Sequence, residues 1–99
     1  MAFCKLSVEA VANNSVKVDN IFINNYLPYA PEECVKVYLY GLYKCQDASS
    51  QDNTLQNFAN ELNMKEEDVE SCFHYWQEQG LVQILEVIPF EVRFLPITD

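Results

Sequence analysis

The sequence predicts a mainly α protein with a small β-hairpin (α+β), a winged helix-turn-helix preceded by an N-terminal arm. Three observations carry this. Between Asp52 and Val82 two helical apolar patterns follow one another: Leu55, Phe58, Ala59 and Leu62 recur at i, i+3, i+4 and i+7, and Val69, Cys72, Phe73 and Trp76 repeat that spacing. Asn63 stands between them and Gly80 after the second, the two residue types best suited to leaving right-handed helical geometry. Two apolar runs with β-branched residues then follow, one from Leu81 and one from Phe90 to Leu95, with Ile88-Pro89 between them. The winged-helix domain is expected over residues 21–97, with helices near 21–27, 32–46, 54–63 and 65–79 and wing strands near 81–87 and 90–95. Residues 1–20 make the arm.

Taken in order, residues 3–11 alternate in part, with Cys4, Leu6, Val8 and Ala10 on the apolar side, which suits a strand. Asn13-Asn14-Ser15 signals a turn, and Val16-Lys17-Val18 a second short extended piece. A winged helix closes without such an arm, so it either pairs with the wing or reaches another copy of the chain. Asp19 or Asn20 can cap the short helix Ile21 to Leu27, which Pro28 and Pro31 stop. Pro31, then Glu32 and Glu33 where the helix dipole favours negative charge, starts the longest helix, to about Gln46. Its core stripe is expected to be Val35, Tyr38, Leu39, Leu42 and Cys45. Val37, Tyr40 and Tyr43 crowd the rest of its circumference, and a helix apolar nearly all round needs cover on more than one side. Gly41 in mid-helix costs about 1 kcal/mol relative to alanine, which points to close packing against the backbone there. Residues 47–53, DASSQDN, read as a polar and mobile loop.

The 99 residues hold 15 acidic and 6 basic side chains, a formal net charge of −9, a balance unlike that of proteins that bind nucleic acid or anionic membranes through basic patches. With 49% hydrophobic residues a packed core is within reach, so the charge does not imply disorder. No transmembrane stretch and no signal peptide is legible, and a cytoplasmic location is expected. The four cysteines, Cys4, Cys34, Cys45 and Cys72, make no metal-ligand spacing. Cys34 and Cys45 on one helix would stand about 16 Å apart, too far for a disulfide, so buried and reduced cysteines are expected.

No catalytic arrangement emerges. His74 is the one histidine and lies on the polar face of an acidic helix beside Tyr75, and with Gly41 and Gly80 as the only glycines the chain has neither a phosphate loop nor a nucleophile turn. Glu66, Glu67, Asp68 and Glu70 radiate around a helix rather than converge on a cation. The reading is of a protein that is not an enzyme and takes no metal or cofactor.

In a winged helix the second helix of the motif ordinarily enters the major groove by its N-terminal residues. Here that segment sets Glu66, Glu67, Asp68, Glu70 and Glu78 against Lys65 alone, and would offer carboxylates to the phosphates. The wing tip near Ile88-Pro89 also lacks Lys and Arg; Arg93 lies on the return strand. A docking module is therefore favoured over a DNA reader.

The run VDNIFINNYLPYAPEECVKVYLYGLYKC, the motif LQNFANELNMKEEDVESCFHYWQEQGLVQIL and the closing PFEVRFLPI resemble the N-terminal winged-helix domain of DnaD-type primosomal proteins, replication initiation and restart factors of low-GC Gram-positive bacteria. The resemblance spans most of the chain, and the first run is its more specific part. It implies an N-terminal winged helix for self-association and partner contacts, followed by a C-terminal DnaD domain that touches DNA and lies beyond these 99 residues. Two positions depart from the pattern: Lys65 stands where a serine cap would start the second helix of the motif, and Asn63 replaces the usual glycine.

The expected function is thus a non-catalytic interaction and oligomerisation module of a DnaD-like replication protein. Its expected partners are itself, as dimer or tetramer, and other replication-initiation or helicase-loading proteins, with weak or no direct DNA binding. Phe22, Tyr26, Tyr29, Val37, Tyr40 and Tyr43 are the candidate self-association surface. Glu66, Glu67, Glu70, His74 and Tyr75 are the candidate docking face. The alternative, a winged-helix transcriptional regulator, would place Ser71, His74 and Tyr75 on bases.

Overall fold

At Asp19 the chain turns into its first helix, the Ile21 N–H donating to Asp19 Oδ1 at 2.7 Å as the sequence leads one to expect of this cap. The computed structural model describes residues 3, 7, 15–46 and 54–97. The strand expected over residues 3–11 and the polar loop 47–53 lie outside the described residues. Helix α1 (Phe22–Tyr26) is a single π turn rather than the α-helix expected over 21–27, closed by Leu27 N–H on the Phe22 carbonyl at 2.9 Å. The wider turn delivers Phe22 inward, where its ring stacks on Tyr38 with centroids 4.4 Å apart.

Helix α2 (Glu32–Gln46) begins with the Pro31 carbonyl accepting from the Cys34 and Val35 N–H groups. Its buried stripe is Cys34, Val37, Tyr38 and Gly41, so the helix is rotated from the expected one: Val35 and Leu42 are half-buried, and Leu39 and Cys45 are exposed. Two contacts explain the rotation. Trp76 Nε1 donates to the Cys34 carbonyl at 2.7 Å, and the Phe94 ring occupies the space a side chain at Gly41 would need. The smallest residues of α2 thus face its bulkiest neighbours. The second cover the helix needs comes in part from its own chain, since Val18 and Ile97 pack against the core and the Gln46 side-chain amide exchanges two hydrogen bonds, each 2.9 Å, with the Lys17 backbone.

Helix α3 (Leu55–Leu62) is capped by Thr54, whose Oγ accepts from the Asn57 N–H at 3.1 Å. Asn63 takes left-handed geometry at φ 58° and ψ 45°, and the Met64 N–H closes the turn on the Ala59 carbonyl. Helix α4 (Glu66–Glu78) follows. Lys65 has the extended backbone of a capping residue but makes no side-chain capping bond, and Glu66, Glu67 and Asp68 occupy the first turn. After α4, Gly80 at φ 84° lets Leu81 N–H return to the Trp76 carbonyl at 3.0 Å.

Strands β1 (Val82–Val87) and β2 (Phe90–Phe94) pair antiparallel, Val82 opposite Phe94 and Val87 opposite Phe90, around a turn at the cis Ile88-Pro89 bond. Leu85 is an extra residue between Ile84 and Glu86, a bulge that sets Glu86 opposite Glu91. The outer edge of β1 is tied to the helical layer by the Ile84 N–H donating to Gln77 Oε1 at 2.7 Å. Four helices and this hairpin make a winged-helix-like α+β fold among the described residues.

The core is an aromatic relay. Phe22, Tyr38 and Trp76 meet at centroid distances of 4.4, 5.0 and 5.5 Å; Tyr38 passes contact to Phe94, Phe94 to Phe73, and Phe73 to Phe58 and Phe90. All four helices and strand β2 are thereby linked around Trp76, which is fully buried. Burial, with a smaller effect of the Asp19 charge, pushes the Tyr38 phenol up to about 12.

Candidate functional site

The surface left over by this core divides into an acidic helix face and an apolar rim. On α4 the buried stripe Val69, Cys72, Phe73 and Trp76 fixes what points away. At 100° per residue, Glu67, Ser71, His74 and Glu78 lie opposite the stripe, and all four are exposed. Glu66 and Glu70 flank them on the Phe73 side. Tyr75 falls on the other flank, half-buried, its ring edge-on to Trp76 at 4.9 Å. The candidate docking residues Glu66, Glu67, Glu70 and His74 therefore share one broad face, and Tyr75 turns from it toward a cleft between α2 and α4. Ser71 is turned inward chemically, its hydroxyl donating to the Glu67 carbonyl at 3.0 Å.

Among the described residues, cations do not offset this face. Lys36 and Lys65 line the cleft together with Glu33 and Asp68, so opposite charges alternate around it. Lys44 lies over the Tyr40 and Tyr43 rings at 5.5 and 5.8 Å. Arg93 is on the outer face of the sheet, opposite Gln83.

The six residues expected to form a self-association surface separate on folding. Phe22 and Val37 belong to the core, at 1% and 0% exposure, and are corrected accordingly: the π turn drives Phe22 under Tyr38, and the rotation of α2 carries Val37 inward. Tyr40 is half-buried, edge-on to Phe58 at 4.9 Å, and Tyr26 is half-buried as well. Tyr29 and Tyr43 remain, with 80% and 47% of their surfaces exposed.

A third group lies in the wing, which the sequence reading counted toward the self-association interface without naming its residues. Leu85, Val87 and Ile88 expose 41%, 63% and 90% of their surfaces at the wing tip, where a solvated hairpin would carry polar residues. Leu85 also lines a groove of about 230 Å³ with Leu55, Phe58, Phe73, Phe90 and Val92, between α3 and the sheet. The available signal was the loss of alternation in Leu85-Glu86-Val87-Ile88, which a bulge produces.

Among the described residues, no group of three His, Cys, Asp or Glu side chains is placed to hold a metal ion, and no helix is long and apolar enough to cross a membrane. No family model, no curated protein and no solved structure matches the chain.

Proposed function

We propose that this domain is a non-catalytic interaction and self-association module of a DnaD-like replication protein, one that docks other polypeptides rather than reading duplex DNA. The observation that carries the proposal is the outward face of α4. In the helix that would have to enter a groove, Glu67 and Glu78 point outward with no Lys or Arg anywhere between Glu66 and Glu78. A protein gains affinity for duplex DNA by releasing condensed counterions with cationic side chains, and this face offers none. The hairpin supports the same reading, because a tip made of Val87, Ile88 and Pro89 suits another protein surface better than phosphates.

In this account the wing tip and the exposed tyrosines hold copies together, and the acidic face receives other replication-initiation or helicase-loading proteins. Clustering would raise the effective concentration of weak DNA-binding domains joined to the module. The test is a titration of the 99-residue chain into a short fluorescent duplex at low salt, followed by anisotropy. Unchanged anisotropy is expected. Binding that weakens steeply as salt is raised would overturn the proposal in favour of a DNA-reading role.

A further inference from the structure

Two cysteines far apart in the chain meet across the α2–α4 interface. Cys34, in the first turns of α2, and Cys72, in the middle of α4, both belong to the buried core, are free thiols, and have side chains near enough to perturb one another across the cleft they line. Their juxtaposition is fixed from a neighbouring position: Trp76, one turn beyond Cys72 on the same stripe, holds the Cys34 carbonyl through Nε1 at 2.7 Å. Both thiols also form part of the lining of the cleft between α2 and α4, a space of about 750 Å³ bordered by Glu33, Lys36, Met64, Lys65, Asp68 and Tyr75. Cys45, in contrast, is on the surface.

We propose that Cys34 and Cys72 are a redox modification site, a dithiol that reacts with a small disulfide oxidant through the cleft and closes a cystine stapling α2 to α4. Contact between two thiols on packed helices is the arrangement disulfide formation requires, since bridging needs neighbouring Cβ atoms rather than rearranged backbone. The chemistry is thiol–disulfide exchange. Cys34, the thiol of the pair less strongly raised by its surroundings, loses its proton to solvent and attacks one sulfur of the oxidant; the S–S bond of the oxidant breaks, and one thiol equivalent leaves. The Cys72 thiol, once deprotonated, attacks the Cys34 sulfur of the mixed disulfide and expels the second thiol. The protein is oxidised by two electrons, and one disulfide is reduced to two thiols.

Burial pushes the Cys72 thiol up to about 12 and raises Cys34 above its ordinary value, with the carboxylate of Glu33 acting in the same direction on both. Few thiolates therefore exist at neutral pH, so the reduced pair is kinetically protected and the exchange is slow. Once closed, the staple constrains the long loop between the two helices and raises the thermal midpoint by roughly 10 °C.

The test uses the 99-residue chain with Cys4→Ser and Cys45→Ser, which leaves only the two core thiols. Folded protein is incubated with oxidised glutathione at about pH 8.5, then alkylated in denaturant and weighed. The expected product is a monomer lighter by two hydrogen masses, carrying neither glutathione nor alkyl groups, and its proteolytic map contains one cross-linked peptide pair joining Cys34 to Cys72. Two alkyl groups after prolonged incubation, a stable glutathione adduct or a disulfide-linked dimer would each overturn the proposal. The same map on the unsubstituted chain provides a second reading should the serine variant fold poorly: a Cys34–Cys72 peptide supports the site, and pairing of either residue with Cys4 or Cys45 contradicts it.

Discussion

At the scale of single residues, Gly41 shows how packing overrides intrinsic preference. Alanine in place of a mid-helix glycine would ordinarily stabilise by about 1 kcal/mol. Here the Phe94 ring already occupies the position of the new Cβ, and it cannot swing aside freely because it lies 5.3 Å from Tyr38 and 6.1 Å from Phe73, centroid to centroid. Overpacking of this kind costs roughly 1–3 kcal/mol, so Gly41→Ala should lower stability by about 1–2 kcal/mol in urea denaturation, and a gain would show that the ring yields. Trp76 is the opposite case, a residue whose loss is felt everywhere. Trp76→Ala empties the centre of the aromatic relay and removes the bond to the Cys34 carbonyl, and a loss of about 3–5 kcal/mol is expected from the same measurement.

At the scale of elements, the sequence was most informative where one rule governed a position. Asn63 and Gly80 ended their helices in left-handed geometry as their residue types dictate, and the stripes of α3 and α4 matched the spacing of their apolar residues. The long α2 was legible as a helix but not in rotation. With Val35, Val37, Tyr38, Leu39, Tyr40, Leu42 and Tyr43 nearly encircling it, periodicity alone could not choose a face, and the choice was made by Trp76 and Phe94 from elsewhere in the chain. That rotation, together with the π turn of α1, is why Phe22 and Val37 had looked like surface residues. The residues of the wing tip were harder to name for a different reason: the bulge at Leu85 changes which side chains face outward, and the broken alternation that marks it reads equally well as a buried strand. Helix α4 also carries a correctable defect. Lys65 has capping geometry but no capping oxygen, and Lys65→Ser should add about 1 kcal/mol by accepting from an N–H of the first turn. An unchanged midpoint in chemical denaturation would mean that the open turn already finds an equivalent partner.

At the scale of the whole molecule, a winged-helix-like fold carries an acidic outer surface. Its 15 acidic side chains against 6 basic ones weigh against phosphate contact, and the outward face of α4 concentrates that imbalance where it matters most. The apolar excess is smaller than the sequence suggested, because the core absorbs Phe22 and Val37 and the segments holding Val18 and Ile97 pack against it. Among what stays outside, Leu85, Val87 and Ile88 sit together on the wing. Fully burying a side chain such as Val87 or Ile88 contributes roughly 1.5–3 kcal/mol, so a contact between two wings would be worth several kcal/mol before the entropy of association is met. A double substitution, Val87→Glu with Ile88→Glu, should weaken self-association at least tenfold while leaving the thermal midpoint of the monomer unchanged, since neither side chain belongs to the core.

The most direct measurement is sedimentation velocity of the 99-residue chain across the micromolar range, beside that double variant. The account predicts a dimer or tetramer that dissociates on dilution and is shifted toward monomer by the two glutamates; a strict monomer at every concentration would contradict it.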